Sequence, residues 1–172
     1  MKIGNNVFKK SFAVVLLACA GLGGAHAADP QSYTIDLTAV IPSDSFHVIP
    51  VESGWINQTQ AMSYDLATSK LKPFEKEFQY KNTSGAIQAT LTNTNADGAP
   101  VLSNGSGDTI PLTVKFNNKT LSDTAATVVE SAAAAAGGRT TLSIAQANTS
   151  ALDVMGSFSG SVSMIFEPVV ES

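Results

Sequence analysis

Cysteine, histidine and charge are scarce in this chain. Among 172 residues there are one Cys, two His and one Trp, and only 14% of side chains are charged. A lone thiol forms no intramolecular disulfide, and so few imidazoles and thiols do not assemble a zinc site or a His/Cys nucleophile pair. No H-E-x-x-H, no G-x-S-x-G elbow and no Gly-rich phosphate loop ahead of a helix occurs. The carboxylates are scattered. Glu75 and Glu77 alternate with Phe74 and Phe78, which reads as the solvated face of a strand. The residues name no cofactor and no metal, and the chain is not read as an enzyme. Long hydrophobic runs are missing too: the stretch from Phe12 to Ala18 falls well short of the roughly 20 apolar residues of a membrane span.

That short run has a different meaning. Lys2, Lys9 and Lys10 precede it, and small residues ending Ala25-His26-Ala27 follow, the three parts of a secretory signal peptide. Cleavage is expected between Ala27 and Ala28, which divides the chain into a leader (1–27), an extension (28–42) and a domain (43–172). Leu16-Leu17-Ala18-Cys19 offers a rival, a lipoprotein signal that keeps Cys19 as a lipid anchor. With the leader gone, 7 basic side chains face 14 acidic ones, because three of the ten basic residues and none of the acids lie in it. A mature chain of that sign lacks the basic footprint expected of a nucleic-acid binder. It also lacks cysteine, and keeps His47 as its one histidine, so no disulfide stabilises it after export.

What is present is period-two alternation. Ile87, Ala89 and Leu91 alternate with polar residues over 86–92, as do Leu112, Val114 and Phe116 over 112–116, with a turn signal at Asn117-Asn118. Phe74, Phe78 and Tyr80 share a parity that Lys76 interrupts, and Leu142 and Ile144 mark a strand after Gly137-Gly138. Phe158, Gly160, Val162, Met164 and Phe166 make one face of a last strand, with Ser157, Ser159, Ser161 and Ser163 on the other. Asp97-Gly98 and Asn104-Gly105 are turn dipeptides. Short strands between turns, in a chain of one-domain length, predict an all-β fold, an antiparallel β-sandwich. The segment 122–136 is the exception, ending in five alanines. It fits a short helix capped by Ser122 or a loop insertion. Trp55 reads as a core or rim anchor. Four N-x-[ST] sequons follow from a Thr- and Asn-rich composition and carry no weight.

The extension has its own pattern. Tyr33, Ile35, Leu37, Ala39 and Ile41 are one parity, opposed by Thr34, Asp36 and Thr38 with Val40 the one breach, and Pro30 and Pro42 bracket the run. Eleven residues at about 3.3 Å each make a rod of roughly 36 Å. Two readings fit the pattern. Residues 31–41 are the first strand of a self-complete sandwich, a secreted or lipid-anchored module that binds a glycan, or they are a donor strand for a neighbour.

A resemblance bears on that choice. The chain resembles the major pilins of the alternate chaperone–usher class (class 5, alpha-fimbrial), of the colonisation factor antigen I type. The resemblance is carried by Tyr33-Thr-Ile-Asp-Leu-Thr-Ala and by Met62-Ser-Tyr-Asp-Leu-Ala-Thr-Ser-Lys-Leu-Lys-Pro-Phe-Glu. It continues through Ile110-Pro-Leu-Thr-Val-Lys-Phe with Lys119-Thr-Leu-Ser, and through Gly156-Ser-Phe-Ser-Gly-Ser-Val-Ser-Met-Ile. The run Ala132–Ala136 and the ending Pro168-Val-Val-Glu-Ser depart from it. It implies an incomplete immunoglobulin-like sandwich whose acceptor groove is flanked by Phe158, Val162, Met164 and Phe166. The donor strand of the next subunit, Tyr33, Ile35, Leu37, Ala39 and Ile41, would fill that groove. The implied role is the major structural subunit of an adhesive fimbrium at the cell surface. The implied partners are identical subunits, a periplasmic chaperone, an outer-membrane usher and a tip adhesin, with a host glycan as candidate receptor.

Overall fold

The computed structural model describes residues 45–170. In chain order the elements are β1 (Phe46–Pro50), β2 (Tyr64–Asp65), β3 (Lys70–Leu71), β4 (Phe74–Asn82), β5 (Ile87–Leu91), β6 (Val101–Ser103), β7 (Thr109–Phe116), β8 (Lys119–Thr120), β9 (Ala126–Val129), α1 (Ser131–Ala136), β10 (Gly138–Gln146) and β11 (Met164–Pro168). One sheet runs β1-β4-β10-β7-β6, with β8 paired to β7; a second runs β11-β5-β9; β2 and β3 form a separate hairpin. All pairings are antiparallel. This is an immunoglobulin-like β-sandwich, as the resemblance implies; alternation and turn spacing by themselves point to an antiparallel β-sandwich.

The apolar parities become the two inner faces. Ile87, Ala89 and Leu91 from the second sheet meet Val114, Phe116, Phe78 and Leu142 from the first, all buried. The Phe116 ring stands edge-on to Phe78 at 5.8 Å and lies 4.7 Å from Phe166, so one aromatic cluster ties the two sheets together. Trp55 packs edge-on against Phe74 and Phe78 at 5.5 and 5.9 Å, a rim anchor on that cluster. Lys76 interrupts the β4 parity without harm, because its stem lies half-buried and its ammonium sits over the Trp55 ring. Asn117 and Asn118 take left-handed φ values of 51° and 60° in the two-residue turn that joins β7 to β8.

Two expectations need correction. Ser122 caps no helix. It stands in a turn, where its Oγ accepts from the Thr124 N–H, and the stretch after it is the strand β9. Only the alanines are helical, from Ser131, because small side chains let α1 lie against β4 with Ala134 wholly buried. Gly137 (φ 74°) ends the helix, its N–H shared between the carbonyls of Ala133 and Ala134. The second correction concerns the last strand. Regular pairing begins at Met164, so Phe158, Gly160 and Val162 lie outside the ladder.

Candidate functional site

The reason that ladder starts late lies in one side chain. Ser159 exchanges two 2.9 Å backbone bonds with Ser103 at the end of β6, in the first sheet. Ser163 accepts from Thr92 N–H at 3.0 Å, just beyond β5, in the second sheet. Between them Asn93 stands in for a strand. Its Nδ2 donates to the Ser161 carbonyl at 2.5 Å, and its Oδ1 accepts from Ser163 N–H at 2.6 Å. The chain from Ser159 to Val169 thus passes from one sheet to the other with its odd-numbered backbone groups bonded along one side.

Backbone groups alternate sides along an extended chain as side chains alternate faces. Met164 and Phe166, within the ladder, therefore turn their N–H and C=O groups the other way, and Phe158, Gly160 and Val162 share their parity. Among the described residues no strand pairs with that edge. Their side chains face inward: Val162, Met164 and Phe166 are half-buried and pack against the core cluster. Phe158 is also half-buried, but it is not among the side chains packed there. Gly160 is required by close approach, since a Cβ would collide with the Val101 carbonyl as the chain crosses β6. The outer face is Ser157, Ser159, Ser161 and Ser163, all exposed, joined by Ile165. The site is thus an unpaired edge with an apolar floor. The donor residues Tyr33, Ile35, Leu37, Ala39 and Ile41, and the cleavage pair Ala27 and Ala28, lie outside the described residues.

Sequence reasoning missed Asn93. Its only signal is an Asn directly after an alternating strand, which looks the same as the start of a turn. Replacing Asn93 with Ala removes the donor and the acceptor that join 161–163 to β5, with an expected cost of about 1–3 kcal/mol. Amide hydrogen exchange should quicken at Ser163 while Leu142 and Val114 stay protected. Unchanged protection at Ser163 would show that Asn93 does not hold the strand.

Little else in the described residues offers chemistry. No group of His, Cys, Asp and Glu among them is placed to hold a metal ion. His47 lies in β1, paired opposite Lys81. Glu75 and Glu77 are exposed, and with Val51, Glu52 and Lys76 they line a shallow recess. The Lys76–Glu52 pair there is 3.4 Å apart with Glu52 well exposed, the kind of ion pair that contributes little. Asp65 is held below its ordinary carboxyl pKa because its Oδ1 accepts the Ala67 N–H at 2.9 Å, a local turn contact.

The comparisons agree with this architecture. Among curated protein sequences, none matches the chain. Among solved structures, the chain is similar to the CooA pilin subunit from enterotoxigenic Escherichia coli, with 20% identity, a TM-score of 0.54, and coverage of 72% of this chain and 86% of that one. At that identity the likeness speaks to the fold. It is also similar to a subunit of a chaperone–usher pilus (13% identity, TM-score 0.47, coverage 82% and 98%). A chain of the chaperone–tip adhesin complex of CFA/I fimbriae is similar too (12% identity, TM-score 0.43, coverage 73% and 43%). The model of the CS1 type fimbrial major subunit matches residues 31–167, and the chain belongs to that family.

Proposed function

We propose that this structural pilin, a fimbrial major subunit exported to the cell surface, polymerises by donor-strand exchange and catalyses no reaction. The extension 28–42 of one subunit adds as a strand to the open edge of the next. Val162, Met164 and Phe166, with Phe158 at one end, are the acceptor groove. Tyr33, Ile35, Leu37, Ala39 and Ile41 are the side chains that enter it. The observation that carries this reading is the edge from Phe158 to Phe166, which lacks a strand partner among the described residues and lies over half-buried apolar side chains.

The physical case has three parts. Five positions of one parity, from Phe158 to Phe166, match in number and period the five apolar residues of the extension. Each large apolar side chain contributes about 1.5–3 kcal/mol on full burial, and each ladder bond about 1 kcal/mol net. An open edge beside exposed apolar surface invites aggregation. In this reading a periplasmic chaperone therefore holds the edge until the outer-membrane usher exchanges it for the next extension. Head-to-tail addition is heterologous, so it builds an open filament and not a closed ring. A tip adhesin and a host glycan receptor complete the set of partners.

The test compares protein 28–172 with the same protein lacking 28–41, by size exclusion and electron microscopy. Filaments from the first and none from the second are the expected result. Equal, well-folded monomers from both would overturn the reading and favour a self-complete sandwich.

A further inference from the structure

We propose that Pro168 is a register stop: it ends the strand that a second copy of this chain adds along Phe158–Phe166, and so selects one alignment of the donor run. This rests on the donor-strand reading and adds to it. A stop has work to do because the donor run is apolar at every second position from Tyr33 to Ile41. A slip of one residue would turn those side chains to solvent, but a slip of two keeps the pattern. Hydrophobic alternation therefore rejects odd slips and cannot choose among even ones. A blocked backbone position can.

Parity places Pro168 where it blocks the outer edge alone. Ser163 and Val169 bond toward the β5 side, Val169 through its N–H to the Ala86 carbonyl at 2.8 Å. Residue 168 pairs with Ile87 within the same ladder and shares the outward backbone parity of Met164 and Phe166. A proline there offers no N–H to an added strand, and its ring takes the space a partner carbonyl needs. The inner ladder runs past it intact, as the Val169 bond shows. At position 167 or 169 the same residue would have removed a bond to the β5 side.

Disulfide mapping tests this in assembled filaments, because the mature chain has no cysteine of its own. One Cys replaces Ser163 or Glu167, both exposed on the outer face; the other replaces Thr34, Asp36 or Thr38. Links between subunits are read as ladders on non-reducing gels. With Pro168 in place, Ser163→Cys should link to one donor position, and Glu167→Cys should link about tenfold less, since the ladder ends before it. Pro168→Ala should bring Glu167→Cys up to the level of Ser163→Cys and add links displaced by two residues. Equal linking at both sites with Pro168 present, or a pattern that Pro168→Ala leaves unchanged, would overturn the stop alone. Normal filaments with no link from any donor position to either site would overturn the donor-strand reading, and the stop with it.

Discussion

Leu37→Asp is expected to abolish filaments while leaving the folded domain and its chaperone-bound monomer intact. In the donor-strand reading this side chain serves the neighbouring subunit and not its own domain. In the proposed filament the substitution does two things. It forfeits the burial of a leucine, about 2 kcal/mol, and it carries an unpaired carboxylate onto the apolar floor around Met164 and Phe166. Desolvating a charge without a partner costs several kcal/mol more in practice, of order 3 or above. Together these exceed what the remaining apolar positions can offset in a strand that must also be ordered on docking, at about 1–2 kcal/mol per residue. Ile35→Asp should behave alike, whereas Thr34→Asp or Thr38→Asp, on the opposite parity, should still polymerise. Negative-stain microscopy and size exclusion check all four. Filaments from Leu37→Asp at the wild-type yield would remove the donor assignment.

A charge on the acceptor side should do more damage. Val162 is half-buried against the core cluster, on the edge with no strand partner among the described residues. Val162→Asp places a carboxylate one residue before the Ser163 amide that Asn93 holds, over the floor on which any added strand must rest. Chaperone capture and subunit exchange would use the same edge, so both should fail, and the periplasmic yield of the subunit should fall by an order of magnitude or more. The contrast with Leu37→Asp is the informative part. Damage to the donor spares the monomer; damage to the acceptor removes it. A soluble Val162→Asp monomer that is stable without a chaperone would contradict this account of the groove. Ser157→Asp on the exposed face is the control, expected to leave yield and filaments near wild type.

Much of the molecule was legible before any fold was seen. Alternation at 86–92 and 112–116 marks β5 and most of β7, and Asn117-Asn118 marks the turn after β7, because these are local rules of pleat and turn. The parity of Val162, Met164 and Phe166 is likewise an intrinsic property of the chain, and the structure keeps it as half-buried in and exposed out. Short or irregular elements were not legible. β6 has three residues and β2 and β3 two each, too few for a period to register. The alanine run sends opposite local signals, high helix propensity without an apolar stripe. Its packing against β4, where small side chains fit, settled the matter in favour of α1.

For the candidate site, the sequence by itself determined which side chains share a face, because a strand's two-residue period is local. The tertiary structure decided which side of that strand is bonded. That depends on partners far along the chain: Ser103 meeting Ser159, Asn93 splicing 161–163 to the second sheet, and Ala86 taking the Val169 amide. A backbone donor leaves no trace in the sequence to show whether it is bonded, since every residue but proline carries one. Proline is the exception, and Pro168 could be read as an edge device only once the fold had shown which parity faces outward.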